Sequence, residues 1–121
     1  MGKVLTEQEL HNLAMNIVGK ELEEQGFDFL AVNSELKKNP QFVCTKDKKM
    51  RFIVVKAISY PGDPKDLEFF KADLNKMRDH ALKFEADTFY AGVGLVNALD
   101  YNLPVYLNEE YIVDYDGLLK I

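Results

Sequence analysis

Between Asn39 and Ala57 the chain carries two runs of strand-forming residues. The first is Gln41-Phe42-Val43-Cys44-Thr45-Lys46, the second Met50-Arg51-Phe52-Ile53-Val54-Val55-Lys56-Ala57, and the basic stretch Lys46-Asp47-Lys48-Lys49 joins them. So short a connection leaves room only for a tight turn, so the two runs must pair antiparallel. Pro40 stands at the start of the first run, where its missing N–H removes no ladder bond. Phe52-Ile53-Val54-Val55 is apolar without alternation, the pattern of a central strand covered on both faces. The hairpin therefore predicts a sheet flanked by helices, which the rest of the chain must supply.

Two segments answer to that demand. Thr6-Glu7-Gln8-Glu9 is a capping-box signal, and Leu10, Leu13, Ala14, Ile17, Val18 and Leu22 follow at helical spacing. Gly26 suits the left-handed residue that ends a helix, so the spacing predicts a helix over 6–25 with Glu7, Glu9, Glu23 and Glu24 on its wet face. Asp63-Pro64-Lys65-Asp66 reads as a second helix start, with Asp at the N-cap and Pro at the first helical position. Leu67, Phe70, Leu74, Met77, Ala81 and Phe84 then extend the prediction to a helix over 64–84.

Phe27 to Val32 reads as a first strand and Asn33 to Asn39 as a polar loop. Thr88 to Val96 reads as a fourth strand, with Gly92 and Gly94 on one face, where a helix is expected to approach closely. Val105-Tyr106-Leu107 and Tyr111-Ile112-Val113 suggest two further short strands, and no form is assigned to Asp114–Ile121. The first three strands are too close together for helical crossovers and must form a meander; the second helix then lets the fourth pair in parallel. The expected fold class is mixed α/β (α+β): a small central mixed β-sheet flanked by two helices, in the order α-β-β-β-α-β. With 121 residues, 47% of them hydrophobic, the chain suits one domain over 1–121.

Charge narrows the function classes. The formal net charge of -5 disfavours tight unspecific nucleic-acid binding. The cations are nevertheless crowded: Lys37, Lys38, Lys46, Lys48, Lys49, Arg51 and Lys56 gather around the hairpin with only Asp47 against them. Such residues guard sheet edges against pairing with other chains. They could equally meet phosphates, which makes Lys46, Lys48, Lys49 and Arg51 candidate nucleic-acid contacts. No apolar run approaches the roughly 20 residues of a membrane span, and the N-terminus lacks the pattern of a signal peptide. The single cysteine, Cys44, excludes an internal disulfide and fits a buried strand position. The expected location is a reducing cytoplasm.

Gly26-Phe27 leading into the first strand, Asn39-Pro40-Gln41-Phe42-Val43, and Phe52-Ile53-Val54-Val55-Lys56 carry a resemblance. In this order of elements the chain resembles the restriction-endonuclease-like superfamily, known by its PD-(D/E)XK motif, from about residue 6 to 96. Bacterial members typically open one strand with Pro-Asp or Ile-Asp and end the next with Glu-Val-Lys. The resemblance implies two acids on adjacent strands holding Mg²⁺, which activates a water and offsets the charge that builds on the phosphate. It also implies a lysine that orients the water.

In this sequence Gln41 and Val54 stand at the two acid positions, and Lys56 alone matches. The resemblance therefore implies a degenerate active site with no metal, in which Lys56 is a catalytic remnant or a structural lysine. Mg²⁺ enters only if an acid has moved. The first helix's acid would fall near Met15, with Glu21 the nearest carboxylate; Glu35 could reach in from the loop, and Asp66 or Glu68 from the second helix.

Three function classes fit these residues. One is a non-cleaving nuclease-like module that pairs with itself or with another protein, with Tyr101, Tyr106, Tyr111 and Tyr115 as interface anchors. The second is a Mg²⁺-dependent nuclease with relocated acids. The third is a protein that binds nucleic acid through the basic hairpin without cutting it.

Overall fold

The computed structural model describes residues 2–36 and 38–121. Its elements are α1 (Glu7–Glu24), β1 (Asp28–Val32), β2 (Phe42–Lys46), β3 (Lys49–Ser59), α2 (Lys71–Leu82), β4 (Asp87–Asn97), β5 (Tyr111–Asp114) and β6 (Leu119–Lys120). The strands form one sheet in the order β1-β2-β3-β4-β5, with β6 also on β4. The expected mixed α/β architecture, two helices on a central mixed sheet, is the one adopted. No helix among the described residues is long and apolar enough to cross a membrane.

Local signals build the first half as expected. The Thr6 hydroxyl accepts from Glu9 N–H while the Glu9 carboxylate accepts from Thr6 N–H, closing the capping box. At the other end Gly26 takes φ 82°, and Phe27 N–H and Gly26 N–H return to the carbonyls of Leu22 and Glu23, a Schellman ending. The β2–β3 turn places Asp47 and Lys48 at φ 54° and 65°, the double positive-φ turn whose twist matches a hairpin.

β3 is the middle strand. It pairs antiparallel with β2 and parallel with β4, from Arg51↔Asp87 to Ser59↔Leu95. Its alternating side chains feed two cores. Ile53 and Val55 pack with Ala14, Val18 and Leu22 of α1, while Phe52 and Val54 pack with Leu74, Met77 and Ala81 of α2. The unbroken apolar run in β3 is thus accounted for on both faces.

The second helix differs from expectation. It starts at Lys71, after a 3₁₀ turn at Glu68–Phe70, and ends at Leu82. Asp63 accepts from Lys65 N–H and Asp66 from Glu68 N–H, so both acids close turns instead of capping a helix. Pro64 is buried, and its carbonyl lies over Gly92, where any Cβ would collide with it. This docking pins the segment flat on the sheet, and the helix begins only once the chain clears it. The close approach that Gly92 permits therefore belongs to Pro64 and not to a helix. Gly94 has Pro64 Cγ and Asp114 beside it.

Two further differences lie in the last third. Residues 105–107 form no strand: Tyr106 makes one bridge to Val4, and Val105 accepts from Leu5 N–H, tying this segment to the start of the chain. The unassigned tail supplies β6, which pairs Leu119 with Tyr90 and Lys120 with Phe89.

Candidate functional site

Gln41 sits just before β2 and is fully buried. Its N–H donates to Ile53 O at 3.0 Å. Its side-chain oxygen accepts from Val55 N–H at 2.6 Å, and its amide donates to Asn39 Oδ1 at 2.9 Å and Lys38 O at 3.2 Å. One side chain thus clamps the incoming loop to the central strand. Val54, which the resemblance sets at the other acid position, is fully buried in the α2 core. Lys56 is partly buried, with its ammonium 5.3 Å from the centre of the Phe70 ring.

Mg²⁺ asks for hard oxygen ligands, and carboxylates draw it from water. The Gln41 oxygen is committed to the Val55 N–H, and Val54 offers none, so this donor set does not fit the ion. The other acids are engaged elsewhere. Glu21 accepts from the Tyr115 hydroxyl at 2.9 Å, and Glu35 pairs with Lys38 at 3.0 Å on the surface. Asp66 holds the turn described above, and Glu68 is exposed on the 3₁₀ turn. Among the described residues no three His, Cys, Asp or Glu side chains come together in a metal-holding group.

His11 is not among the site residues that the sequence suggests. It is 3% exposed on the inner face of α1, and its Nε2 has no hydrogen-bond partner among the described residues. The spacing of His11, Ala14, Val18 and Leu22 was the available signal, since it continues the buried stripe one turn towards the N-terminus. Burial, and then the charge of Lys56, hold the imidazole below its ordinary 6.5. The unfolded chain therefore takes up this proton first as pH falls. The His11 contribution is intact above about pH 6.5 and is lost below it. The unfolding midpoint should drop between about pH 7 and about pH 5, and by less in His11→Asn, with the difference between the two proteins measuring His11 alone.

The basic residues do not form one face. Lys56 is seven residues from Lys49 along β3, about 23 Å at strand rise. At the hairpin end, Lys46 and Arg51 stack over Phe27 at 5.1 and 5.2 Å, and Arg51 also faces Phe89. Lys49 and Lys120 flank Asp87 at 4.0 and 3.8 Å. Lys48 is exposed at the turn, and Lys37 lies outside the described residues. Of the four tyrosines expected as anchors, Tyr106 is buried and Tyr115 is bonded to Glu21; Tyr101 and Tyr111 are at the surface.

Both sheet edges present apolar side chains: Phe29, Leu30 and Val32 on β1, and Tyr111, Ile112 and Val113 on β5. A groove of about 620 Å³ runs between α1 and β1, floored by Met15, Phe29 and Phe42.

These features define a mixed α/β protein in which one open sheet lies between two helices, with Gln41 and Val54 both buried beside or within its central hairpin. The chain belongs to the family described as Domain of unknown function (DUF8840), whose model matches residues 8–121. No curated protein and no solved structure matches it.

Proposed function

We propose that the chain is a restriction-endonuclease-like domain without metal-dependent cleavage, serving as a binding or assembly module. The observation that carries this reading is Gln41. A ligand at that position would have to break the 2.6 Å bond from Val55 N–H inside the protein, and the remaining amide is neutral. The assembly role draws support from the two apolar edges, because an unpaired edge is a template for another strand. A second copy of the chain or a protein partner would be the occupant. The reading includes a cytoplasmic setting, which suits a lone thiol that burial pushes up to about 11 and so keeps unreactive.

A second reading, nucleic-acid binding without cleavage, rests on the exposure of Lys48 and Lys49 at the hairpin tip. It is weakened by the packing of Lys46 and Arg51 on aromatic rings.

Purified protein should leave supercoiled DNA and single-stranded RNA intact in excess Mg²⁺ or Mn²⁺, and should sediment as more than a monomer or with a bound partner. Cleavage that requires the ion and disappears in Lys56→Ala would overturn the proposal in favour of the nuclease with a relocated acid. Salt-sensitive binding that Lys48→Glu with Lys49→Glu abolishes would move the assignment to the second reading.

A further inference from the structure

Tyr90 is 2% exposed, yet its hydroxyl has no hydrogen-bond partner among the described residues. An orphaned buried hydroxyl costs about 1–3 kcal/mol, so native chains rarely keep one without a water, ion or ligand. The hydroxyl ends beside Gly92, 2.5 Å from where a Cβ would stand. Tyr90 and Gly92 also border a cavity of about 280 Å³ beside the segment that joins β3 to α2. Its apolar walls are Pro64, Leu118 and Leu119, with Gly92 and Gly117 also on the lining. One water in the liquid takes about 30 Å³, so the space exceeds what a single bridging water would need.

The rim carries one residue of each charge, with further carboxylates close enough to act on them. Lys65 and Asp116 meet there in an exposed ion pair, a kind of contact worth little and easily opened. Asp114 and Asp63 also act on Lys65, raising its pKa after the larger effect of Asp116. Burial first, then the charges of Asp66 and Asp63, push the Tyr90 phenol up to about 12. Protonated at neutral pH and without a partner among the described residues, it can donate to an acceptor. Asp116 on the cavity wall, with Asp114 and Asp63 also acting on the one ammonium, disfavours an anionic ligand and favours a cation.

We propose that this cavity binds a small organic ammonium carrying a carbonyl or hydroxyl oxygen, of the α-amino amide or amino alcohol class. Its oxygen accepts from the Tyr90 hydroxyl, its ammonium takes the place of Lys65 on Asp116, and its carbon body lies against Pro64, Leu118 and Leu119. The site lies beside the Pro64 segment, apart from the hairpin, and does not depend on the module's partner.

L-leucinamide is the probe, titrated into the full chain and followed by amide chemical shifts. Isoamylamine, which lacks the oxygen, and isovaleramide, which lacks the charge, are the comparisons. Saturable shifts centred on Gly92 and Gly117 are expected, with both comparison compounds binding at least about tenfold more weakly. Tyr90→Phe removes only an unpartnered hydroxyl and should fold; it and Asp116→Asn should each weaken leucinamide binding by about tenfold. No saturable shift with leucinamide, or binding undiminished in Tyr90→Phe, would overturn the proposal. So would a crystal soaked with the amide that holds only water beside Tyr90.

Discussion

Gly92→Ala is expected to lower the unfolding free energy by about 3 kcal/mol, the upper end of what overpacking a tight interior costs. A Cβ at this position would collide with the Pro64 carbonyl and come within 2.5 Å of the Tyr90 hydroxyl. The first of these is backbone and cannot rotate away. Either β4 or the whole Pro64 segment has to shift, and the segment is held by the Asp63 and Asp66 turns. Domains of this size are stable by about 5–15 kcal/mol, so the loss is a large share of the total. Gly94→Ala is the internal comparison. Its Cβ would meet Asp114 Cβ at 3.0 Å and Pro64 Cγ at 3.2 Å, so movements of a few tenths of an ångström relieve it. A loss of only about 1 kcal/mol is expected there. Urea unfolding of the three proteins checks both values. Equal midpoints for Gly92→Ala and the parent would mean that Pro64 does not lie on β4.

Gln41→Leu should cost about 3 kcal/mol, although it keeps the volume and adds apolar surface. It strips the acceptor from Val55 N–H and the donor from Asn39 Oδ1 and Lys38 O, and the Val55 amide is buried. Each polar group left unpaired inside a protein costs about 1–3 kcal/mol, and the flanking loop can rescue only the two outer ones by turning to water. Hydrogen exchange gives the local readout: the Val55 amide should lose protection beyond the global change in stability, while Ile53 and Val93 track the global change alone. A variant as stable as the parent, with Val55 still protected, would show that the amide is no clamp. The functional reading would then lose its main support, since the position would be open to a ligand.

The hairpin, its turn, the central strand and the first helix were legible in the residues because each depends on interactions within a few positions. A capping box spans four residues, a Schellman ending six, and a two-residue turn with positive φ announces itself through a short polar break between apolar runs. The mixed sheet followed from connection lengths alone. That Gln41 and Val54 carry no carboxylate was equally visible, because it is a matter of residue type.

Folding settled the matters that depend on distant partners. The Asp63-Pro64-Lys65-Asp66 signals are sound locally, yet contact with Gly92, nearly thirty residues on, turns them into turns. Nothing around Gln41 says that its oxygen meets Val55, and His11 becomes a buried imidazole only because α1 lies on the sheet. The last strand is a two-residue piece with no periodicity of its own, held by β4. Short-range hydrogen bonding and apolar spacing are written along the chain. Which backbone approaches which, and which polar atoms are left to find partners, depends on packing between segments that the chain order keeps apart.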